Sequence, residues 1–210
     1  MDCGERNLNV RAIVFDVGET LVDESRAWAA QAAAAGVPVF TFIALFGSLI
    51  ERAEDHRKIW SELGVPSPRS SPEITRADLY PDALPCIESA RAAGFSVGIA
   101  GNQPAGAAEQ LTNAGLAADF IASSAQWGVH KPSEKFFERV VDGAGVEASS
   151  ILYVGDRLDN DILPARRVGM KTAFLRRGPW EYVHSRRPEV QLTDFQVDSL
   201  AELTELWASP

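Results

Sequence analysis

Apolar positions fall into short unbroken runs, separated by stretches of helical period that stop at glycine. The first run, Ala12 to Phe15, has no polar position, which is the pattern of a strand buried on both faces of a parallel sheet. It ends at Asp16, with a glycine turn at Gly18. Ser25 to Ala35 then reads as an alanine-rich helix stopped at Gly36. Phe40 to Leu63 predicts one long helix or a broken pair, apolar nearly all round in its first half and polar in its second. Residues 64–75 have the proline- and serine-rich composition of a linker. From there helices and strands alternate. Helices are predicted over 82–93, 105–114, 133–142, 161–168 and 200–207, and strands over 95–100, 120–122, 151–154 and 172–175. Residues 176–191, with Gly178, Pro179 and Pro188, read as a surface loop. This alternation predicts an α/β protein with a doubly wound parallel sheet. Residues 1–21 and 80–210 would form the core, and residues 22–79 a small α-helical cap inserted after the first strand, above its carboxyl end.

Composition adds limits rather than a function. The 46% hydrophobic and 23% charged content of the 210 residues is ordinary for a globular protein. A net charge of -9 opposes broad binding to nucleic acid or anionic membrane. It leaves room for a phosphate-bearing small molecule, because one lysine and a metal can override a distant field. The two cysteines, Cys3 and Cys86, read as free thiols of a reducing compartment. Residues 1–6 lack the apolar core of a secretory signal, so the expected location is cytoplasmic. As a helix, the apolar stretch 37–50 would cover ~21 Å, short of the ~30 Å of a hydrocarbon core, so no membrane span is expected.

Chemistry-bearing residues gather where predicted strands or helices meet loops. Asp16 follows the first strand and Asn102 the second, Lys131 precedes a helix, and Asp156, Asp159, Asn160 and Asp161 follow the strand at 151–154. In open parallel sheets ligands bind at such carboxyl ends. Each cluster also has an ordinary structural use: Asp159 and Asn160 can cap a helix, Gly155-Asp156 is a common turn dipeptide, and Lys131 before Pro132 can be a solvated lysine. A calcium loop fits poorly, since its sixth position requires glycine and holds Asp161.

Together, the Phe15-Asp16-x-x-x-Thr20-Leu21 start, the Lys131-Pro132 step and the Gly155-Asp156-x-x-x-Asn160-Asp161 cluster resemble the haloacid dehalogenase-like (HAD) hydrolase superfamily. The resemblance covers nearly the whole chain. It implies a Rossmann-like core with a helical cap. It also implies Asp16 as a carboxylate nucleophile that forms an aspartyl phosphate, and Lys131 as the charge that neutralises nucleophile and phosphoryl oxygens. Mg²⁺ would be held by Asp16, the backbone carbonyl of Gly18 and Asp156, with Asp161 and Asp159 assisting through water. Backbone N–H groups near Gly18, Gly101 and Asn102 would bind the remaining phosphate oxygens.

Two positions depart from that pattern. Phosphatases of the family usually carry a second Asp two positions after the nucleophile, to protonate the leaving group, and here it is Gly18. The Ser or Thr usual before the Asn is Gly101. A general acid is worth ~10²–10⁴ in rate, so Gly18 predicts weak turnover of alkyl phosphates and less loss with acyl or aryl phosphates. Glu19 or a cap residue would have to substitute, although Glu19, next along the turn, is expected to point elsewhere. Besides a Mg²⁺-dependent phosphatase, the sequence admits a metal-independent 2-haloacid dehalogenase, which needs no second Asp, and a non-catalytic or regulatory binding protein. Carbon–phosphorus cleavage would need a cap lysine; Lys58 is the lysine of the insertion and reads as part of a solvated helix face. Phe42, Leu45, Phe46 and Leu49 predict a core stripe in the cap. Surplus apolar surface there would serve a pocket wall facing Asp16 or a homodimer contact. Trp28, Trp60, Trp127 and Trp180 are candidate pocket residues, and His130 reads as structural.

Overall fold

The computed structural model describes residues 8–68 and 71–208, so Cys3 and the first residues lie outside the described part. Six strands, β1 (Ala12–Phe15), β2 (Ser96–Gly101), β3 (Phe120–Ser123), β4 (Ile151–Gly155), β5 (Lys171–Leu175) and β6 (Phe195–Val197), form one sheet in the order β3-β2-β1-β4-β5-β6. Every pairing is parallel, and β1 lies between β2 and β4 with Phe15 level with Ile99 and Val154. The helices are α1 (Ser25–Ala34), α2 (Val39–Glu51), α3 (Ile59–Glu62), α4 (Ala83–Ala92), α5 (Ala107–Asn113), α6 (Ser124–Trp127), α7 (Glu134–Ala144), α8 (Leu163–Arg167), α9 (Gly178–His184) and α10 (Leu200–Ala208).

The two-residue period of a strand explains why the central runs have no polar position. Ile13 and Phe15 point to one face, where they meet Ile87 and Ala90 of α4 and Leu200 and Leu203 of α10. Ala12 and Val14 point to the other, packed with Phe136, Phe137 and Val140 of α7. Both faces of β1 are therefore covered, as parallel sheets require. Full burial of each large side chain contributes ~1.5–3 kcal/mol, so this central strand holds Asp16 on a firm base. α7 is amphipathic, with Glu138 and Arg139 exposed opposite its buried phenylalanines, and stops at Gly145 with φ 63.

Helices α1 to α3 pack around a separate cluster of Phe42, Phe46, Leu49, Ile50 and Ile59. The stripe expected in α2 is thus buried, except that Leu45 is only partly so, while Phe40 on the outer face is 88% exposed. The stretch expected as one long helix or a broken pair is broken. α2 ends at Glu51, Ala53 takes φ 56, and a 3-10 turn at His56–Lys58 leads into α3. Among the described residues no single helix is long and apolar enough to cross a membrane, and α1 and α2 meet at 114°.

Four expectations are corrected. Residues 176–191 are not simply a loop: they contain α9 and run into a 3-10 turn at Pro188–Leu192. Trp180 of α9 completes the cluster of α1 to α3. The second correction is β6, a three-residue edge strand that was not expected from the pattern. The short helix α6 was likewise unforeseen. The helix expected over 161–168 is preceded and shortened by a π-helical turn at Leu158–Ile162.

Candidate active site

β1 and β4 are neighbours at the point where the chain reverses its direction of travel across the sheet, which opens a crevice beyond their carboxyl ends. Asp16 leaves β1 there with its N–H donating to the Val154 carbonyl at 2.9 Å. Asp156 leaves β4, and the π-helical turn after it brings Asp161 back to the same point. Such turns recur at functional sites. Gly155 allows the return, because a Cβ there would lie 2.6 Å from the Asp161 Cβ. Asp16, Asp156 and Asp161 are all buried, and one carboxylate oxygen of each lies within 4.8 Å of the others.

Lys131 enters from the start of α7. Its Nζ lies 2.6 Å from Asp16 Oδ1 and 2.5 Å from Asp161 Oδ1. Asn102, after β2, sets the position of this lysine: its Oδ1 accepts from the Lys131 N–H at 2.8 Å, and its Nδ2 donates to the Lys131 carbonyl at 3.1 Å. The Asn102 side chain is therefore occupied in fixing the lysine loop.

Burial opposes the charge on Lys131, but Asp16 and Asp161 outweigh it and hold its pKa well above the ordinary value. Asp161 is pushed up to about 6, by burial and against the pull of Lys131. Asp156 is raised well above the usual carboxylate range by burial, Asp161 and Asp16, and its buried Oδ2 has no hydrogen-bond partner among the described residues. One lysine does not neutralise three carboxylates. Hard oxygen donors, an excess of negative charge and an orphaned buried oxygen fit a divalent cation such as Mg²⁺.

Each variant glycine faces a carboxylate. A Cβ on Gly101 would lie 2.6 Å from Asp16 Oδ1, so glycine lets the Asp16 carboxylate rest against the end of β2. A Cβ on Gly18 would lie 2.6 Å from Glu24 Oε1 and 2.7 Å from Glu24 Cδ. Glu24 is half-buried, with its carboxyl turned toward Gly18. Burial of that carboxyl, then the charges of Glu19 and Asp16, push its pKa up to about 7; Trp28 and Lys131 pull the other way. Glu19 does point elsewhere: its Oε2 accepts from the Tyr80 hydroxyl at 2.6 Å and its Oε1 from the Glu24 N–H at 3.1 Å.

A cavity of about 880 Å³ opens between the strand ends and the cap side formed by α1 and residues 53–57. Asp16, Gly18, Glu24, Asn102, Lys131 and Asp156 face it from one side. Trp28, His56, Arg157 and Trp180 add an aromatic and cationic wall, with the Arg157 guanidinium 4.5 Å from the Trp180 ring and His56 edge-on to both indoles. Trp60 and Trp127 pack elsewhere, on Phe42 and Phe136. His130 borders the cavity on an exposed loop. Asp159 turns to Arg157 at 2.8 Å, away from the three buried carboxylates, and Lys58 is an exposed partner of Glu54 at 3.0 Å. A second cleft of about 510 Å³ along α5 and β3 contains none of the site residues.

Comparison with known proteins places this arrangement. A family model described as haloacid dehalogenase-like hydrolase matches residues 10–169. The chain is 34% identical over 130 residues to a glyceraldehyde 3-phosphate phosphatase of Methanopyrus kandleri, an alignment covering 60% of this chain and 55% of that protein. It thus spans about half the length of the curated relatives it matches. Among solved structures, an HAD phosphatase from Thermococcus onnurineus superposes with a TM-score of 0.64 at 20% identity, covering 94% of this chain and 97% of that one. The L-2-haloacid dehalogenase of Xanthobacter autotrophicus superposes with a TM-score of 0.68 at 20% identity, covering 94% and 98%. A phosphatase and a dehalogenase share this fold equally, so architecture alone does not choose the chemistry. Sheet order, strand-end carboxylates, the buried lysine and the family match agree on one assignment: the chain belongs to the haloacid dehalogenase-like hydrolases.

Proposed function

We propose that this protein is a divalent-cation-dependent phosphatase of small phosphorylated compounds, acting through an aspartyl phosphate on Asp16. The observation that carries this reading is the buried cluster of Asp16, Asp156 and Asp161 with the Asp156 oxygen unpartnered. Asp161 pairs with Lys131, but a reaction needing no metal gives no reason to leave the buried Asp156 oxygen unpartnered beside the nucleophile. The phosphatase name of the Methanopyrus kandleri relative supports the same choice.

Asp16, Asp156 and Asp161 would hold Mg²⁺, with the Gly18 carbonyl as a further oxygen donor. The bound cation supplies positive charge that offsets repulsion between the carboxylates and an anionic phosphoryl group. An Asp16 oxygen attacks phosphorus in line with the departing oxygen. Lys131, fixed by Asn102, pairs with Asp16 and offsets charge building on the phosphoryl oxygens. Backbone N–H groups at the ends of β1 and β2, next to Gly18 and Gly101, complete the phosphate cradle. The cavity suits a compact substrate, and its wall of Trp28, His56, Arg157 and Trp180 would contact the part beyond the phosphate.

The test is phosphate release from acetyl phosphate, an aryl phosphate and a sugar phosphate, with and without MgCl₂, with Asp16→Asn as control. The expected result is Mg²⁺-dependent release that falls at least a thousandfold (~10³) in Asp16→Asn, as loss of a nucleophile requires. Metal-independent halide release from a 2-haloacid, with no phosphate release, would replace this reading by the dehalogenase one.

A further inference from the structure

The site lacks a proton donor at residue 18, and the space beside that residue is filled by another acid. Glycine at 18 is not required by its backbone, which lies outside the left-handed region. It leaves room for another group: a Cβ there would fall 2.6 to 3.0 Å from three atoms of the Glu24 carboxyl group, so a side chain at 18 would displace that carboxyl. Both Gly18 and Glu24 line the cavity that Asp16 faces.

Glu24 is also held in place. It is the residue preceding α1, reached by a tight turn in which Leu21 and Val22 N–H groups donate to the Val17 carbonyl at 2.9 and 3.0 Å. Its own N–H donates to Glu19 Oε1 at 3.1 Å, and Glu19 is fixed through Oε2 by the Tyr80 hydroxyl. Glu19 takes φ 53, a left-handed conformation that a non-glycine residue adopts at a cost. The strained residue is thus the one that anchors Glu24. Next to Glu24, the Trp28 indole borders the same cavity wall and acts on the Glu24 carboxyl, favouring its charged form.

We propose that Glu24 is the catalytic acid and base of this protein, supplying from the start of α1 the carboxyl that residue 18 lacks. The proposal rests on the phosphatase reading. In the first step an Asp16 oxygen forms a bond to phosphorus and the bond to the leaving oxygen breaks. That oxygen takes the Glu24 proton and departs as an alcohol. In the second step water attacks the aspartyl phosphate and the Asp16–phosphorus bond breaks. Glu24 accepts the proton of the water, which restores both carboxyl groups and releases inorganic phosphate.

The experiment compares leaving groups in the full chain with MgCl₂ present. An alkyl phosphate needs a proton on its departing oxygen, whereas nitrophenolate leaves as a stable anion. Glu24→Gln is expected to lower the single-turnover rate on a sugar phosphate at least a hundredfold (~10²). The pre-steady-state nitrophenolate burst should fall less than tenfold (~10) over the same comparison. Steady-state turnover of nitrophenyl phosphate should slow more than the burst, because the second step has lost its base. A double variant, Gly18→Asp with Glu24→Ala, returns a carboxyl from the other side of the same space. It should recover at least tenfold (~10) in sugar phosphate hydrolysis over Glu24→Ala alone. Equal losses for both leaving groups in Glu24→Gln, or unchanged sugar phosphate hydrolysis, would overturn the role of Glu24. If the unsubstituted protein releases phosphate from neither substrate, the phosphatase reading itself fails and this role falls with it.

Discussion

Lys131 lies almost fully buried between two carboxylates, 2.6 Å from Asp16 and 2.5 Å from Asp161. An ion pair of this kind is weak evidence of net stabilisation, but removing one partner leaves a buried charge uncompensated, at a cost of ~3–5 kcal/mol. Lys131→Met should therefore lower stability by about that amount in metal-free urea denaturation, with part of the loss recovered on adding MgCl₂. An unchanged midpoint would mean that the carboxylates are not held by this lysine. The same scale explains what the sequence revealed. Asp16, Lys131, Asp156 and Asp161 are legible because each sits at a strand or helix end in a motif of fixed spacing. Glu24 is not, because its carboxyl reaches Gly18 through a turn whose shape depends on Glu19 in a left-handed conformation. The signal was the gap itself: a missing side chain at 18 asks what fills its volume. Under the proposed role of Glu24, the weak alkyl phosphate turnover expected from Gly18 alone would not be observed.

At the level of elements, α9 ties the π-helical turn after β4 to the cluster of α1 to α3. His184 of α9 accepts the Leu158 N–H on Nδ1 at 3.1 Å, which requires that nitrogen unprotonated, while Trp180 packs against Phe46. Burial, with Arg187 and Arg157 helping and Asp159 opposing, lowers the His184 pKa from 6.5 to about 4. The unfolded chain therefore binds a proton in that window that the folded chain does not. This contribution to stability is fully present above pH 6.5 and is lost as pH falls toward 4. His56, also lowered to about 4, acts in the same direction. Melting temperatures of His184→Gln, which keeps an acceptor but does not titrate, should fall less between pH 7 and pH 4.5 than those of the unsubstituted protein, by ~2–4 °C for each kcal/mol of histidine linkage removed. Parallel pH curves would contradict it. α9 escaped the sequence pattern because Gly178, Pro179 and Pro188 together suggest a loop. Proline in the first turn and Trp180, Val183 and His184 at helical spacing were the opposing signals. β6 has only three residues and pairs at the sheet edge, too short for a two-residue period to stand out.

Over the whole molecule, the doubly wound sheet was legible because unbroken apolar strands separated by glycine-stopped helices have few other solutions. The sheet order then brings Asp16 and the 156–161 segment together, though they are far apart in sequence. Glu24 and Trp28, at the start of the helical segment, face the same cavity, so the proposed attack, charge compensation and proton transfer would all take place there. The fold is shared by phosphatases and dehalogenases, and the buried carboxylates are the feature on which the proposed phosphatase reading rests. The most direct measurement is mass spectrometry of protein quenched with acid during turnover of nitrophenyl phosphate. The account predicts one phosphoryl group on the peptide bearing Asp16, present with MgCl₂ and absent with EDTA or in Asp16→Asn. Phosphate release with no phosphoryl group on that peptide, or phosphorylation that persists in EDTA, would contradict it.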